Sequence, residues 1–449
     1  MKIDPAISRI SKIFVEEEGL SFPQTQKLLK GLTLEVHLGA DAAGTPAGQA
    51  AALTAVRTAS RCFLGGVTLT GAVDHPLILP LPGRMSTIGA AAKKLGAKPH
   101  VKPAKTILIS GSAPTTVPGW TIRTWWDGWA TGVVPADVFQ PLGRSGNPLA
   151  GVAAGALAVA QAFRSVQSGY SCHPNDQIIS LWTPGASVDP GPSRVWLPKA
   201  LWLIGLGNLG QAYLWSLSML PYQDPQAVEL IFQDFDIVKD SNWATSILVS
   251  KRNYGLLKTR ICEDWAIACR FGVRRIDRPF DDSTHRMSTE PGIALSGLDK
   301  IAPRKLLGGA GFQFIVDGGL GPNASDYHKF RLSVFDEAWL PAQHFEGKGD
   351  DEREREVKNM ALGAYQAEVA KDPHNQCGMA EIAGASAAVP FVSALTGALA
   401  ISQTIALVSG VSPVRNLVGS VADLRGSRAS RGVVVQPGQL GYAGTMSVE

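Results

Sequence analysis

The sequence predicts an α/β protein built from two related Rossmann-like units, and three observations support this. Hydrophobic runs at 32–44 and at 200–210 each enter a glycine-containing turn that opens a helix. Two small-residue-rich helices, one in each half, match at six of sixteen positions. A chain of 449 residues also exceeds the ~250–300 residues at which a single core stops growing. We predict units at 1–182 and 199–449, joined by a proline-rich linker at 183–198.

The composition is that of a globular protein and argues against several classes. Apolar residues make up 45% of the chain and charged residues 18%, which leaves ample side chain to bury. The net charge of +4 is too small to indicate a nucleic-acid partner. Five cysteines without a C-x-x-C pair indicate neither a disulfide framework nor a structural zinc site. The N-terminus resembles no signal peptide, so we expect a cytoplasmic protein.

One apolar segment, 387–408, approaches the length that crosses a bilayer. A proline and several hydroxyl and amide side chains interrupt it. We therefore predict a buried core helix and no membrane partner.

The two matching helices suggest an internal repeat. They occupy 148–163 and 390–405, and a chance match between alanine-rich helices is the alternative. The matched positions include Gly155 with Gly397 and Gln161 with Gln403. In the first copy of the glycine turn the middle glycine is Asp41, whose carboxylate would repel a phosphate. The first unit is therefore predicted to be degenerate and the second active.

The glycine turn of the second unit follows a hydrophobic strand at 201–204 and precedes a helix. Glycines there let the backbone approach a phosphate, and the free N–H groups of the helix terminus can bind it. The next strand, 228–232, leads to Asp234, whose carboxylate can accept hydrogen bonds from a ribose. These features alone leave an NAD(P)-dependent oxidoreductase open. The candidate residues of the turn are Gly205, Gly207, Asn208 and Gly210.

A more specific block follows the second strand. It consists of Asp234, Asp236, Val238, Ser241, Asn242, Gly255 and Lys258. In order and spacing it resembles the pattern D-x-D-x-V-x-x-S-N-x-x-R-Q, then G-x-x-K, of the ubiquitin-activating superfamily, which includes the bacterial ThiF-like adenylating enzymes. The resemblance covers roughly 195–410. Together with the repeat, it implies two adenylation-type domains, of which the second is active.

The resemblance also implies roles for these residues. Asp234 would bind the ATP ribose, Asp236 belongs to the same cofactor-binding block, and Asn242 and Lys258 would contact the phosphates. Attack of a carboxylate on an α-phosphate brings two anions together, so cations must offset their repulsion. Lys258 is the best candidate for that cation.

The sequence departs from the family pattern at two neighbouring positions, and one phosphate contact is thereby missing. The expected arginine is Thr245 and the expected glutamine is Ser246. Lys251 and Arg252 lie nearby in sequence and could supply the missing cation. Alternatively, Arg9 could supply it from the other half, because members of the family borrow an arginine in this way.

A further strand is predicted at 312–317, with Asp317 at its carboxyl end. The resemblance implies that Asp317 binds magnesium. The second aspartate of the family's longer motif is replaced by Leu320, so Asp317 would act alone or would only cap a loop.

The five cysteines differ in context. Cys262, Cys269 and Cys62 lie in apolar segments and are predicted to be core residues. Cys172 lies in a loop and is a minor candidate nucleophile. Cys377 follows a polar, turn-rich segment, in the interval where the resembling enzymes carry their catalytic cysteine.

The predicted function is ATP-dependent activation of a ubiquitin-like protein, with ATP and Mg²⁺ as cofactors. Adenylation of the partner's C-terminus would be followed by a thioester on Cys377 and transfer to a conjugating enzyme. Sulfur transfer in cofactor biosynthesis is one alternative, and the oxidoreductase is another. A pseudoenzyme scaffold is a third, because of Thr245 and Leu320. Association into a homodimer is left open.

Overall fold

The computed structural model describes residues 8–99, 104, 106–113, 120–135, 137–138, 140–167, 176–186, 188–371, 376–432, 435 and 440–449. The first half contributes helices α1 Ser8–Glu17, α2 Phe22–Gly31, α3 Ala40–Ala43, α4 Pro46–Ala59, α5 Ile88–Leu95 and α6 Pro148–Arg164. Its strands are β1 Thr33–Leu38, β2 Gly66–Gly71, β3 Thr106–Ser110, β4 Trp120–Asp127, β5 Ala130–Pro135 and β6 Gln177–Ser180.

The second half is longer and carries more helices. Its strands are β7 Arg194–Pro198, β8 Ala200–Ile204, β9 Glu229–Gln233, β10 Gly272–Ile276, β11 Ile293–Ser296, β12 Phe314–Leu320, β13 Lys329–Phe335, β14 Val414–Ser420, β15 Arg428–Arg431 and β16 Tyr442–Ser447. Its helices are α7 Asn208–Leu217, α8 Lys258–Ala268, α9 Ile301–Leu306, α10 Pro341–His344, α11 Glu352–Met360, α12 Gly363–Lys371, α13 Gln376–Gly384 and α14 Pro390–Val408.

The two large sheets correspond strand for strand. The order is β2-β1-β3-β4-β5-β6 in the first half, and β9-β8-β11-β12-β13-β14 forms the matching part of the second, with β10 and β15 added at the edges. In each sheet the first four of these strands are parallel and the last two antiparallel. The predicted mixed α/β fold with parallel strands is confirmed.

The helices α6 and α14 occupy equivalent places in the chain, since α6 connects β5 to β6 and α14 lies between the corresponding strands β13 and β14. Both helices are packed closely. A Cβ atom on Gly155 would lie 2.2 Å from the carbonyl oxygen of Ala51 on α4. A Cβ atom on Gly397 would lie 2.7 Å from the carbonyl oxygen of Ala212 on α7. The two glycines therefore allow equivalent helices to approach each other's backbone in both halves.

Helix α14 is long and apolar enough to cross a membrane, but it is 100% buried inside the protein. The prediction of a buried core helix is confirmed. Core helices of this kind satisfy the same length and hydropathy test as membrane spans, because both are apolar on every side.

The first two helices pack on the second half of the chain. Phe22 of α2 meets Tyr365 of α12 edge to face, with ring centroids 5.1 Å apart.

The last residues of the predicted linker form a strand. This strand, β7, pairs antiparallel with the C-terminal strand β16. The division of the chain at 183–198 stays a prediction.

Candidate functional site

The glycine turn connects β8 to α7 and depends on its glycines. Gly205 has φ +79°, in the left-handed region that favours glycine. A Cβ atom on Gly210 would lie 2.1 Å from the carbonyl oxygen of Gly205. Gly207 is the N-cap of α7, and Asn208 is the first residue of that helix. The turn is therefore folded back tightly at the start of a helix, as the sequence predicts.

Asp234 lies just beyond β9 and ties two loops together. Its Oδ2 accepts a hydrogen bond from the Leu206 backbone N–H at 2.6 Å, and its Oδ1 accepts one from the Asp236 N–H at 2.8 Å. The side chain is buried, and this burial raises its pKa, while the nearby Lys258 opposes the rise. Asp234 thus anchors the glycine turn, and its predicted contact with a ribose stays a prediction.

Lys258 is brought opposite Asp236 by a short antiparallel contact. The Val238 N–H donates to the Leu256 carbonyl at 2.7 Å, and the Gly255 N–H donates to the Val238 carbonyl at 2.9 Å. Gly255 makes the return possible with φ +84°. The Lys258 Nζ then lies 2.5 Å from Asp236 Oδ2. The spacing G-x-x-K is therefore the length needed to place this lysine beside the first loop.

The predicted phosphate contact Asn242 lies in the same loop region. Its Oδ1 accepts a hydrogen bond from the Lys239 backbone N–H at 2.8 Å, which closes the turn. Lys251 lies over the ring of Trp243, with Nζ 5.8 Å from the centroid, and Arg252 is exposed beside it. Phosphate binding by these three residues stays a prediction.

The two departures from the family pattern are buried side chains. Thr245 and Ser246 are each 1% exposed. Ser246 and Thr245 N–H groups both donate to the Asn242 carbonyl, at 2.8 and 3.2 Å. Both residues thus belong to the packed turn.

Asp317 lies at the level where the parallel strands end, although β12 itself continues to Leu320. It pairs in register with Ser296, the last residue of β11, and the continuation is stabilised by antiparallel pairing with β13. The prediction that the strand ends at Asp317 was wrong for this reason. The carboxylate is fully buried, with Oδ2 2.9 Å from the Arg331 guanidinium and 3.6 Å from that of Arg304.

This environment does not fit a ready magnesium site. Two guanidinium groups already neutralise Asp317, although its Oδ1 has no hydrogen-bond partner. No group of three or more His, Cys, Asp or Glu side chains suited to a metal occurs in the part of the chain that the structure describes. Magnesium binding by Asp317 stays a prediction, and the observed arrangement is that of a buried charge anchor.

Cys377 is exposed, in the first turn of α13. That helix is held from two sides. Lys12 of α1 donates to the carbonyls of Ile382 and Ala383, both at 2.7 Å. On the other side, Glu381 forms an ion pair of 2.9 Å with Lys239, in the turn that contains Asn242. The helix that carries Cys377 is thereby in contact with the loop region of the candidate nucleotide site.

Arg9 lies on α1, half-buried near this helix. Burial lowers its pKa, whereas the carboxylates of Asp299, Glu381 and Glu352 oppose that shift. The same helix carries Lys12, which donates to carbonyls of the helix of Cys377. Contact of Arg9 with a phosphate stays a prediction.

The other cysteines that the structure describes are core residues, as predicted. Cys62, Cys262 and Cys269 are buried, and burial raises the pKa of each thiol. Cys172 lies outside the described residues.

Some contacts around the site carry no signal in the sequence. Gln211 of α7 donates to the Leu206 carbonyl at 3.0 Å and accepts from the Leu248 N–H at 3.1 Å. Arg57 of the first half donates to the carbonyls of Ile247 and Val249 on either side of Leu248. Arg57 and Ile247 are 190 positions apart, so no local pattern could have joined them.

Fold and site together define a Rossmann-like α/β protein with two corresponding sheets and a tight glycine turn at the start of a helix in its second half. In the comparison with protein families, residues 33–177 match the BilD N-terminal domain and residues 197–411 match the BilD C-terminal domain. The bacterial E1-like protein BilD of Collimonas sp. (strain OK412) is 32% identical over 441 residues, covering 93% of this chain and 92% of that protein. The chain belongs to the BilD family of bacterial E1-like proteins.

Solved structures give only weak likenesses. Escherichia coli MccB with succinimide has a TM-score of 0.35 at 13% identity, over 55% of this chain and 67% of that one. MccB with ATP scores 0.33 at 12% identity, over 55% and 67%. PaaA scores 0.34 at 17% identity, over 52% and 72%. TM-scores this low support no inference about the site of this chain.

Proposed function

We propose that this protein activates a ubiquitin-like protein at the expense of ATP. The partner's terminal carboxylate would attack the α-phosphorus of ATP, forming an acyl adenylate and releasing pyrophosphate. The P–O bond to the leaving pyrophosphate breaks as the new P–O bond forms. A carboxylate is a poor electrophile, whereas an acyl adenylate carries a good leaving group, so this step makes acyl transfer feasible.

The observation that carries the proposal is the pair of hydrogen bonds that Asp234 accepts from two loops. Its carboxylate joins the glycine turn to the loop of Asp236, and Lys258 lies 2.5 Å from Asp236. A phosphate arriving at the turn would meet the free N–H groups at the start of α7 and could draw the lysine away from its carboxylate partner. Membership of an E1-like family supports the same chemistry.

The second proposed step uses Cys377. Its thiolate would attack the acyl carbon, forming a thioester and releasing AMP, and a conjugating enzyme's thiol would then take the acyl group. The exposure of Cys377 and the ion pair between Glu381 and Lys239 support this role, because they leave the thiol open and fasten its helix beside the loops.

We propose that the first half is the inactive copy and the second the active one. In the first half the Asp41 carboxylate accepts hydrogen bonds from Ser112 N–H and Oγ at 2.7 and 2.8 Å. It thus occupies donors that an anion would need. Magnesium would enter with the triphosphate and would help to neutralise its charge. No step above depends on Asp317.

ATP–pyrophosphate exchange in the presence of the ubiquitin-like partner tests the first step. Wild type should incorporate labelled pyrophosphate into ATP, and Lys258→Ala should reduce that rate by about 10²-fold or more, the cost of removing one charge-stabilising group. Lys27→Ala, which removes an exposed lysine of α2, is the matched control and should retain the wild-type rate.

Equal exchange by Lys258→Ala and Lys27→Ala would contradict the proposed site. Binding of NAD(P)H by the wild type, with no exchange, would instead support the oxidoreductase alternative.

A further inference from the structure

A second concave site lies between the two halves, away from the glycine turn. It is a cavity of about 230 Å³. Four basic side chains and no carboxylate occur in its described lining, and neither the glycine turn, Asp234 nor Lys258 contributes to it. The four basic residues are Arg57, Arg61, Lys94 and Lys98.

The two arginines are buried cations without an acidic partner among the described contacts. Arg57 is 9% exposed and Arg61 2% exposed. Arg57 Nη2 donates to the Val249 carbonyl at 3.1 Å, and Arg61 Nη2 donates to the same oxygen at 2.5 Å. Backbone carbonyls satisfy hydrogen bonds but do not neutralise a charge. Burying two such cations side by side is therefore costly unless an anion joins them.

Arg61 has unused hydrogen-bonding capacity at this place. Its Nε is buried and has no hydrogen-bond partner. Its guanidinium lies over the indole of Trp243, 4.6 Å from the ring centroid, which fixes the plane of the group. A planar, oriented guanidinium with a free Nε–H can donate to a phosphate oxygen.

Two lysines, Lys94 and Lys98, are the other basic residues that line the cavity. Lys94 lies in the last turn of α5, where its Nζ also donates to the Pro82 carbonyl at 3.1 Å, and both Lys94 and Lys98 are exposed. The buried arginines and the exposed lysines thus form the floor and the mouth of one cavity. A ligand could reach it from solvent without unfolding of either half.

We propose that this cavity binds a small phosphate-bearing polyanion. Four cations suit a ligand with several negative charges. A volume of about 230 Å³ admits two linked phosphates, given that one water takes ~30 Å³. Free pyrophosphate and the phosphate tail of a nucleotide share this chemistry, and the experiment separates them.

The cavity adjoins the proposed nucleotide site through one segment, so the two must be distinguished. Arg57 contacts the carbonyls on both sides of Leu248, and Leu248 contacts Gln211, which donates to the glycine turn. Binding is therefore measured in a Lys258→Ala background, from which a proposed phosphate contact of the nucleotide site has been removed.

The test is isothermal titration calorimetry at low salt, with inorganic pyrophosphate in one arm and ADP in the other. The double variant Lys94→Gln/Lys98→Gln should bind at least about tenfold more weakly, the effect of ~1.4 kcal/mol. Lys27→Gln/Lys93→Gln removes two exposed lysines that do not line the cavity and should bind within about twofold of the parent. Saturation by pyrophosphate identifies the free anion as sufficient, whereas saturation by ADP alone assigns the site to a nucleotide.

Equal affinity in the two double variants would overturn the proposal, as would failure of both ligands to saturate the parent at millimolar concentration. Arg61→Lys provides a second, independent variant, because it keeps the charge but removes the planar fork. It should weaken binding while the variant still unfolds in one cooperative thermal transition, which shows that the lost binding does not come from loss of the fold.

Discussion

Gln161 and Gln403 make the same contact in opposite directions. Gln161 of α6 donates to the carbonyl of Val421, which follows β14 of the second half, at 2.7 Å. Gln403 of α14 donates to the carbonyl of Leu181, which follows β6 of the first half, also at 2.7 Å. Since β6 and β14 are equivalent strands, the two hydrogen bonds have a pseudo-twofold relationship: each half of the chain donates one bond to the other.

The two glutamines should contribute unequally to the free energy of unfolding, because their burial differs. Gln403 is fully buried, and its Oε1 also accepts from the Val414 N–H, whereas Gln161 is partly exposed. Gln403→Leu should therefore cost about 2–4 kcal/mol in the free energy of unfolding and Gln161→Leu only about 0.5–1.5. Urea unfolding of both variants checks the order. Equal costs would mean that burial does not set the strength of these contacts.

The close helix contacts predict the effect of a single methyl group. Gly155→Ala would force the new Cβ against the Ala51 carbonyl, 2.2 Å away, and should cost about 1–3 kcal/mol. Gly363→Ala on α12 is the control, because nothing lies within 4 Å of its Cβ position. It should be neutral or stabilising by up to about 1 kcal/mol. Thermal unfolding distinguishes the two, and a neutral Gly155→Ala would show that α4 and α6 can move apart freely.

Cys377 gives a prediction that separates the two proposed steps. Cys377→Ala should abolish a reductant-sensitive adduct with the ubiquitin-like partner but leave ATP–pyrophosphate exchange unchanged. Cys269→Ala removes a buried thiol whose pKa is raised by burial, and the adduct should persist. Non-reducing gel electrophoresis reads out the adduct. Its survival in Cys377→Ala would assign the thioester to another thiol.

His344 predicts a pH dependence of stability. Burial, followed by the nearby Arg331 and Lys348, lowers its pKa from 6.5 to about 4, against a smaller opposing effect of Asp317. The unfolded chain then binds more protons than the folded one between these values, so the contribution of His344 to stability is complete above pH 6.5 and is lost as the pH falls toward 4.

The matched variant for this effect is His344→Gln. Glutamine can still accept a hydrogen bond from Arg331, as His344 Nε2 does at 3.3 Å, but it does not titrate. The fall in the free energy of unfolding from pH 6.5 to 4 should be smaller in the variant than in the wild type. Parallel pH profiles for the two proteins would indicate that other groups account for the acid sensitivity.

Short-range chemistry explains why much of the candidate site could be predicted. The turns at Gly205 and Gly255 each require a positive φ, which glycine adopts readily. The spacing from Gly255 then places Lys258 beside Asp236. The repeat could be predicted for a different reason: Gly155 and Gly397 occupy matching positions in two similar segments, and each allows its helix to approach another helix closely.

The sequence by itself therefore determined the turns and the α/β pattern, since each depends on neighbours a few positions apart, and it indicated the repeat through the similarity of two segments. Only the tertiary structure decided that Asp317 is enclosed by Arg304 and Arg331, that α1 holds the helix of Cys377, and that Arg57 and Arg61 share a cavity with the second half. These contacts join residues far apart in the chain. Their energies depend on desolvation and on neutralisation by groups that no local spacing can specify.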